Sequence, residues 1–523
     1  MRPPFSRTAC DLLIEMAGRD PDAPAVISPA GTATYRQLAG RAGQVAAALR
    51  AGGVRRGDRV GLLVDNRTEW LEIFFGAAAL GAVVVPLSTW VKRAEIDFLL
   101  QDSAVKILFT LDTYKGQSFG QDIAALQCEG HLTALKRVVL VGSGEKAGWD
   151  RYEDFLDEAP LGPLPPGEGA SASDSLVILY TSGSSNRPKA VPLDHAGAIE
   201  NGFNIGERMG LRSTDRVLLS PPLFWSYGGV NALPAAFSHG AALVLQSRFE
   251  PGEALDLIET HRCTALYTLP AMTSGLVGHP EFRPERTASL RTGLTIGSPQ
   301  DVMKAANELG AAQICNIYGS TETFGNCCVT WAHWPLEMRA SCQGPPLPGV
   351  HLRVVDAETR IACPAGMAGE VEVKGYLTRG YANASADQNA SAFTTDGYFR
   401  TGDLGHLTAD GAFVFTGRSA EVIKRSGINV SPAEVEEILQ QHAEVGLAGV
   451  VGLSDADKGE LIIAHVVPKP GCSPSPEALI AHCKALASRY KVPDRVLIVA
   501  ALPLTPTGKV MRRELKAMVA KAR

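Results

Sequence analysis

Residues Tyr180 to Lys189 read Tyr-Thr-Ser-Gly-Ser-Ser-Asn-Arg-Pro-Lys, a run of hydroxyls around one glycine that ends on a lysine. Hydroxyls and loop amides donate hydrogen bonds to phosphate oxygens, Gly183 permits close backbone approach, and Lys189 adds positive charge. Thr181, Ser182, Gly183, Ser184, Ser185 and Lys189 are therefore candidate phosphate ligands. A Ser/Gly-rich surface turn has the same composition and remains the alternative. A Walker A loop does not fit: the order G-x-x-x-x-G-K-[ST] is absent, and Ala190 to Leu193 reads as a strand where that motif needs a helix.

Such a loop needs rigid elements on both sides. Leu176 to Tyr180 is a five-residue apolar strand that opens into it. Upstream, a helix (37–50), a strand (59–64), a helix (69–80) and a strand (82–86) alternate, which predicts layered α/β structure with mainly parallel sheet. Residues 159–173, rich in Pro, Gly, Ser and Ala, read as a surface loop. Near the other end Ser431, Pro432 and Glu434 occupy the N-cap, first-turn and capping-box positions of a helix whose apolar stripe is Val435, Ile438 and Leu439. Strands at 448–453 and 461–468 and a helix at 476–488 complete a small α+β unit.

With 523 residues, more than one domain is expected. A net charge of −5 provides no basic face, which turns the expectation from nucleic acid to small molecules. The ten cysteines are scattered without paired zinc spacing, as suits a reducing cytoplasm. No signal peptide is read at the N-terminus, and the longest apolar run, Ile73 to Leu87, is too short for a membrane span and reads as a buried helix followed by a buried strand.

The 180–189 segment resembles the Y-T-S-G-T-T-G-x-P-K-G loop of the superfamily that contains acyl-CoA synthetases, peptide-synthetase adenylation domains and firefly-type luciferases. Ser185-Asn186 and Ala190 stand where that family has Thr-Gly and Gly. Further motifs follow in the family's order. Gly297-Ser298-Pro299 resembles its G-A-P stretch, which lines the adenine pocket. Asn316-Ile317-Tyr318-Gly319-Ser320-Thr321-Glu322 is similar to its Y-G-x-T-E motif, implying that Tyr318 stacks on adenine, Thr321 contacts the α-phosphate and Glu322 helps hold Mg²⁺. Thr401-Gly402-Asp403 resembles its T-G-D motif, in which the Asp accepts from both ribose hydroxyls. By the same resemblance Arg418 contacts ribose or phosphate, Lys424 and Gly427 serve thioester formation, and Lys509, in Thr505-Pro506-Thr507-Gly508-Lys509, meets the carboxylate and α-phosphate during adenylation. Read alone, each of these is also an ordinary turn, loop acid or solvated cation cluster.

The resemblance covers about residues 8–515 and is nearest to an acyl-CoA synthetase. It implies a large N-terminal α/β domain of several subdomains with layered sheets (residues 1–418) and a small mobile C-terminal α+β domain (419–523). ATP and Mg²⁺ would form an acyl adenylate with release of pyrophosphate, and CoA would take the acyl group. The hinge position, Asp or Lys in the family, is Ala420 here. Pro222-Leu223-Phe224-Trp225-Ser226-Tyr227-Gly228 is similar to the acyl-pocket motif P-L-F-H-x-x-G with Trp225 in the His position. Amino-acid-activating relatives place an Asp after the Phe to pair the substrate's ammonium, so a mostly apolar, non-amino acid is expected, lined by Phe224, Trp225, Tyr227, Gly228, Met272 and Phe324. Core packing is the alternative for each aromatic. Two other functions stay open: a ligase that loads a separate carrier protein, and a degenerate nucleotide-binding sensor. A homodimer is a further expectation.

Overall fold

The computed structural model describes residues 3–159, 162–165, 169–181, 188–425, 428–455, 459–487, 489–505, 508 and 510–521. They form two compact units, one comprising Met1–Thr268, Met272–His351 and Lys374–Phe399, the other Leu269–Ala271, Leu352–Val373 and Arg400–Arg523.

In the first unit, Thr34 and Gln37 close a capping box that starts helix α1 (Tyr35–Ala51). Tyr35, Leu38, Ala42, Val45 and Leu49 then recur at helical spacing and are all buried. Helix α2 (Thr68–Ala79) is buried along nearly its whole length, and the apolar run divides as expected into this helix and the strand Val83–Pro86. Burial on this scale contributes about 1.5–3 kcal/mol per large apolar side chain.

Strands β1 (Ser175–Thr181) and β2 (Lys189–Asp194) form an antiparallel hairpin at the edge of a seven-stranded sheet. The next strands inward, Val83–Pro86, Arg59–Leu63 and Ile107–Thr110, run parallel, each crossover supplied by a helix. Helix α3 (His195–Met209) leaves β2 through Asp194, whose carboxylate accepts from Gly197 N at 2.8 Å. An eight-stranded sheet includes the parallel run Arg216–Leu219, Ala265–Tyr267, Thr292–Thr295 and β3 (Gln313–Tyr318). Ligands of such sheets gather at the carboxyl ends of the strands, and both Thr181 and Tyr318 are last residues of their strands.

His195, at the start of α3, is fully buried and its Nδ1 accepts from Ala9 N at 3.1 Å. Burial holds its pKa down at about 4, so the folded ring stays neutral while the unfolded ring, near 6.5, takes a proton. The stability this contributes is present above pH 6.5 and is lost as pH falls through 4, on the order of 3 kcal/mol in all. Urea midpoints are expected to drop between those pH values by more than in His195→Gln.

The second unit holds two sheets. In the four-stranded one, β4 (Phe399–Leu407) pairs antiparallel with β5 (Phe413–Arg418). In the five-stranded one, β6 (Ile423–Arg425) lies between Ile428–Val430 and a long hairpin, β7 (Val445–Asp455) with β8 (Gly459–Pro468); β9 (Arg495–Ile498) pairs parallel with β8. Helices α4 (Pro432–Gln440) and α5 (Pro476–Leu486) cover one face with Val435, Leu439 and Leu479, while α6 (Arg512–Lys521) covers the other with Leu515 and Val519. This is the expected α+β arrangement.

The expected capping box of α4 does not form. Ser431 and Pro432 occupy the predicted positions, but the Ser431 hydroxyl donates to Thr416 O of β5, and Glu434 pairs with Lys491 at 2.9 Å. A strand carbonyl alongside competes successfully for the hydroxyl, and a cation does so for the carboxylate. Among the described residues no helix is long and apolar enough to cross a membrane.

Candidate active site

The β1/β2 register sets Thr181 directly opposite Lys189. Ser182, Gly183, Ser184 and Ser185, which connect them, lie outside the described residues. The Lys189 ammonium stands 4.4 Å above the ring centroid of Tyr381. The Tyr381 hydroxyl donates to Glu322 Oε1 at 3.0 Å. Burial, with Glu322 beside it, pushes the Tyr381 phenol well above its ordinary range, which keeps it a donor. Two backbone bonds hold this grouping together: Thr378 N to Glu322 O (2.8 Å) and Ala382 N to Ala190 O (2.9 Å). Tyr381 thus joins two motifs read separately from the sequence.

Glu322 lies on a short 3₁₀ turn, Thr321–Thr323, directly after β3, and both Thr321 and Glu322 are half-exposed. Gly319 is required there, because a Cβ would stand 2.4 Å from Gly325 O and 2.6 Å from Asn326 Cα. Tyr318 is 7% exposed at the strand end. Asn316 and Ile317 face inward instead: the Asn316 amide donates to Cys342 O at 3.1 Å, and Ile317 is buried. Ser298 caps the helix Pro299–Asn307 in a capping box with Asp301, with Gly297 just before it, so the local work of Gly297-Ser298-Pro299 is to start that helix.

Among the described residues no three His, Cys, Asp or Glu side chains gather as a metal cluster. A single half-exposed carboxylate beside a threonine hydroxyl nonetheless suits Mg²⁺, a hard cation that keeps waters and phosphate oxygens as its other ligands.

An aromatic cluster follows the strand Arg216–Leu219. Trp225 and Phe224 meet Trp90 edge-on, with ring centroids 5.0 and 5.4 Å apart. Trp225 and Trp90 are half-exposed, whereas Phe224 is buried. Tyr227 packs 4.9 Å from Tyr267, and its hydroxyl donates to Thr268 O at 3.3 Å. Gly228 opens a single π turn, Gly228–Ala232. Met272 is half-exposed near the start of the helix Pro270–Val277. Trp90 was not among the expected residues; an aromatic four residues past the strand Val83–Pro86 was its only sequence signal. Phe324 departs from expectation: it is 1% exposed, and its ring lies where a Cβ on Gly197 of α3 would be, 2.3 Å from Cζ. Its φ of 57° is left-handed, which costs a bulky residue about 1–3 kcal/mol. Its contact is with the core, so it pins the Thr321–Glu322 turn against α3.

In the second unit, Asp403 of β4 and Arg418 of β5 are register partners, with Nε 3.1 Å from Oδ1; Asp403 is buried and Arg418 exposed. Lys424 points to solvent, while its backbone N donates to Glu460 Oε2 at 2.7 Å. Gly427 and Lys509 lie outside the described residues. Leu504 bridges to Val510, Met511 N donates to Pro503 O at 2.8 Å, and Gly508 N donates to Thr505 O at 2.8 Å. Arg512, next along, pairs with Glu436 at 2.9 Å and with Glu421 at 3.1 Å. Burial pushes the Glu436 carboxyl up to about 7, with Arg512 pulling the other way.

The family described as AMP-binding enzyme matches residues 13–382, and the one described as AMP-binding enzyme C-terminal domain matches 434–509. The chain belongs to the AMP-binding enzyme family. It is 34% identical to YngI of Bacillus subtilis (strain 168) over 97% of this chain and 96% of that protein. It is 31% identical to an indoleacetate–CoA ligase of Aromatoleum aromaticum (strain DSM 19018 / LMG 30748 / EbN1), covering 97% of each. Among solved structures, the anthranilate CoA ligase AuaEII in complex with anthranoyl-AMP superposes with a TM-score of 0.89 at 28% identity over 99% of this chain and 98% of that one. This AMP-binding enzyme is an acid–thiol ligase that uses ATP and CoA and works through an acyl adenylate.

Proposed function

We propose that this AMP-binding enzyme activates an aromatic carboxylic acid without an α-amino group and transfers it to CoA, in the cytoplasm. The observation that carries the nucleotide half is the Lys189–Tyr381–Glu322 grouping, in which Lys189 lies opposite Thr181 at the end of β1 and Glu322 follows the end of β3. A carboxylate is a poor electrophile; attack of its oxygen on the α-phosphorus of ATP expels pyrophosphate and creates AMP as a leaving group. Two anions must approach, so positioned positive charge is the main catalytic requirement.

In this reading Thr181, Lys189 and the loop residues Ser182 to Ser185 hold phosphate oxygens. Tyr318 stacks on adenine, with Gly297, Ser298, Pro299 and Gly319 shaping the wall around it and the buried Asn316 and Ile317 supporting its strand from behind, and Thr321 contacts the α-phosphate. Asp403 accepts from the ribose hydroxyls with Arg418 beside it. Glu322 would hold Mg²⁺, which supplies charge neutralisation on the phosphates. Lys509 stays protonated and clamps the substrate carboxylate against the α-phosphate. Lys424 and Gly427 serve the thioester step. The mobile domain is residues 419–523, with Ala420 at its hinge.

The aromatic cluster of Trp90, Phe224 and Trp225 supports an aryl acyl group, as do the acids named for the indoleacetate and anthranilate ligases. Trp225 follows Phe224 where an ammonium-pairing carboxylate would be needed for an amino acid. Trp225→Ala is expected to lower kcat/KM for the preferred aryl acid by roughly tenfold or more, with the KM for ATP unchanged. Incubation with ATP and a panel of acids, with either CoA or a carrier protein as acceptor and products read by mass, tests the assignment. Aryl-CoA is the expected product; acylated carrier alone would move the acceptor to a separate carrier protein.

A further inference from the structure

We propose that Tyr381 is a positioning residue for adenylation, holding the Glu322 carboxylate and the Lys189 ammonium close together without letting them neutralise each other. The inference rests on the phosphate and metal roles proposed above for those two residues. The phenol presents its face to Lys189 Nζ, 4.4 Å from the centroid, and its hydroxyl to Glu322 Oε1, at 3.0 Å. An aromatic face attracts a cation and a phenolic hydroxyl donates to a carboxylate, so one side chain satisfies both charges at once. Among the described residues no ion pair joins Lys189 to Glu322. A direct pair would occupy the ammonium needed for phosphate and the carboxylate needed for a hard cation. Tyr381 engages the cation only through its ring and the anion only at one oxygen, so both keep capacity for ligand.

The ring is itself held firmly. Tyr381 N donates to Asn389 Oδ1 at 2.8 Å, and Asn389 Nδ2 donates back to Tyr381 O at 3.1 Å. The next residue, Ala382, bonds to Ala190 O of β2, the neighbour of Lys189. Tyr381 is 7% exposed. A side chain fixed by two elements and touching both charged groups sets their spacing.

Tyr381→Phe keeps the ring and removes the hydroxyl; Tyr381→Leu removes both contacts. In Tyr381→Phe, pyrophosphate exchange is expected to slow about tenfold and to need more Mg²⁺ for half-saturation, while calorimetric ATP binding without Mg²⁺ is unchanged. Tyr381→Leu is expected to weaken that metal-free ATP binding by roughly three- to fivefold as well. Thioester formation from supplied acyl adenylate should stay within about twofold of the parent in both variants, because that step does not use the β- and γ-phosphates. Parent-like exchange and Mg²⁺ dependence in Tyr381→Phe would overturn the proposal. So would an equal loss of both half-reactions, which marks a structural role. Glu322→Gln and Lys189→Ala in the same assays separate the two layers: no effect from either removes the underlying roles, whereas losses in both with a parent-like Tyr381→Phe remove only the role of Tyr381.

Discussion

Lys509→Ala is expected to slow adenylation by roughly a hundredfold or more while leaving thioester formation from supplied acyl adenylate largely intact. The magnitude is that of removing one preorganised charge from a site where anionic groups must approach each other. The asymmetry follows from the proposed geometry of the chain around it. Pro503 and Met511, on either side of Lys509 in sequence, are joined by a backbone hydrogen bond, and Arg512 pairs with Glu436 of α4 and with Glu421, next to Ala420. If the proposed domain 419–523 closes for one step and turns away for the other, a residue it carries serves only the first. Lys424→Ala should therefore give the reverse pattern, losing mainly the second step. Separate assays of the two half-reactions decide this; equal losses in both steps for Lys509→Ala would contradict the assigned role.

Gly319→Ala is expected to lower adenylation by about a hundredfold and stability by about 1–3 kcal/mol. The added methyl would stand 2.4 Å from Gly325 O and 2.6 Å from Asn326 Cα, both backbone atoms that no rotamer change can move aside. The turn must open, and it carries Thr321 and Glu322 on one side and the left-handed Phe324 on the other. A displacement near 1 Å at a positioning group is enough for a loss of that size. Pyrophosphate exchange combined with urea unfolding monitors both effects. Parent-like exchange would show that the close approach does not position the site.

Much of the architecture follows from local sequence. Alternating helices and strands at 35–86 appear within a residue or two of expectation, because apolar periodicity and the Thr34/Gln37 cap point to the same helix. The strand after Lys189 is present, and with it the hairpin register that faces Thr181 with Lys189. What local sequence does not carry is contact at long range. Tyr381 lies 59 positions from Glu322 in a segment with no periodicity, so nothing nearby marks it as the link between two motifs. Trp90 is likewise brought to Phe224 and Trp225 only by the packing of separate crossovers. Ser431 has cap chemistry and the cap position, yet its hydroxyl goes to Thr416, because a strand fifteen residues earlier offers a carbonyl that sequence alone does not place there. Phe324 shows the opposite limit. Its type suggested a pocket wall, but its left-handed backbone turns the ring toward Gly197.

The central claim, acid-dependent adenylation, is tested most directly by exchange of labelled pyrophosphate into ATP in the presence of Mg²⁺ and a panel of aryl, alkyl and amino acids. Exchange is predicted with aryl acids, above alkyl acids and without response to α-amino acids. No exchange with any acid would contradict the account and leave a nucleotide-binding protein without ligase activity.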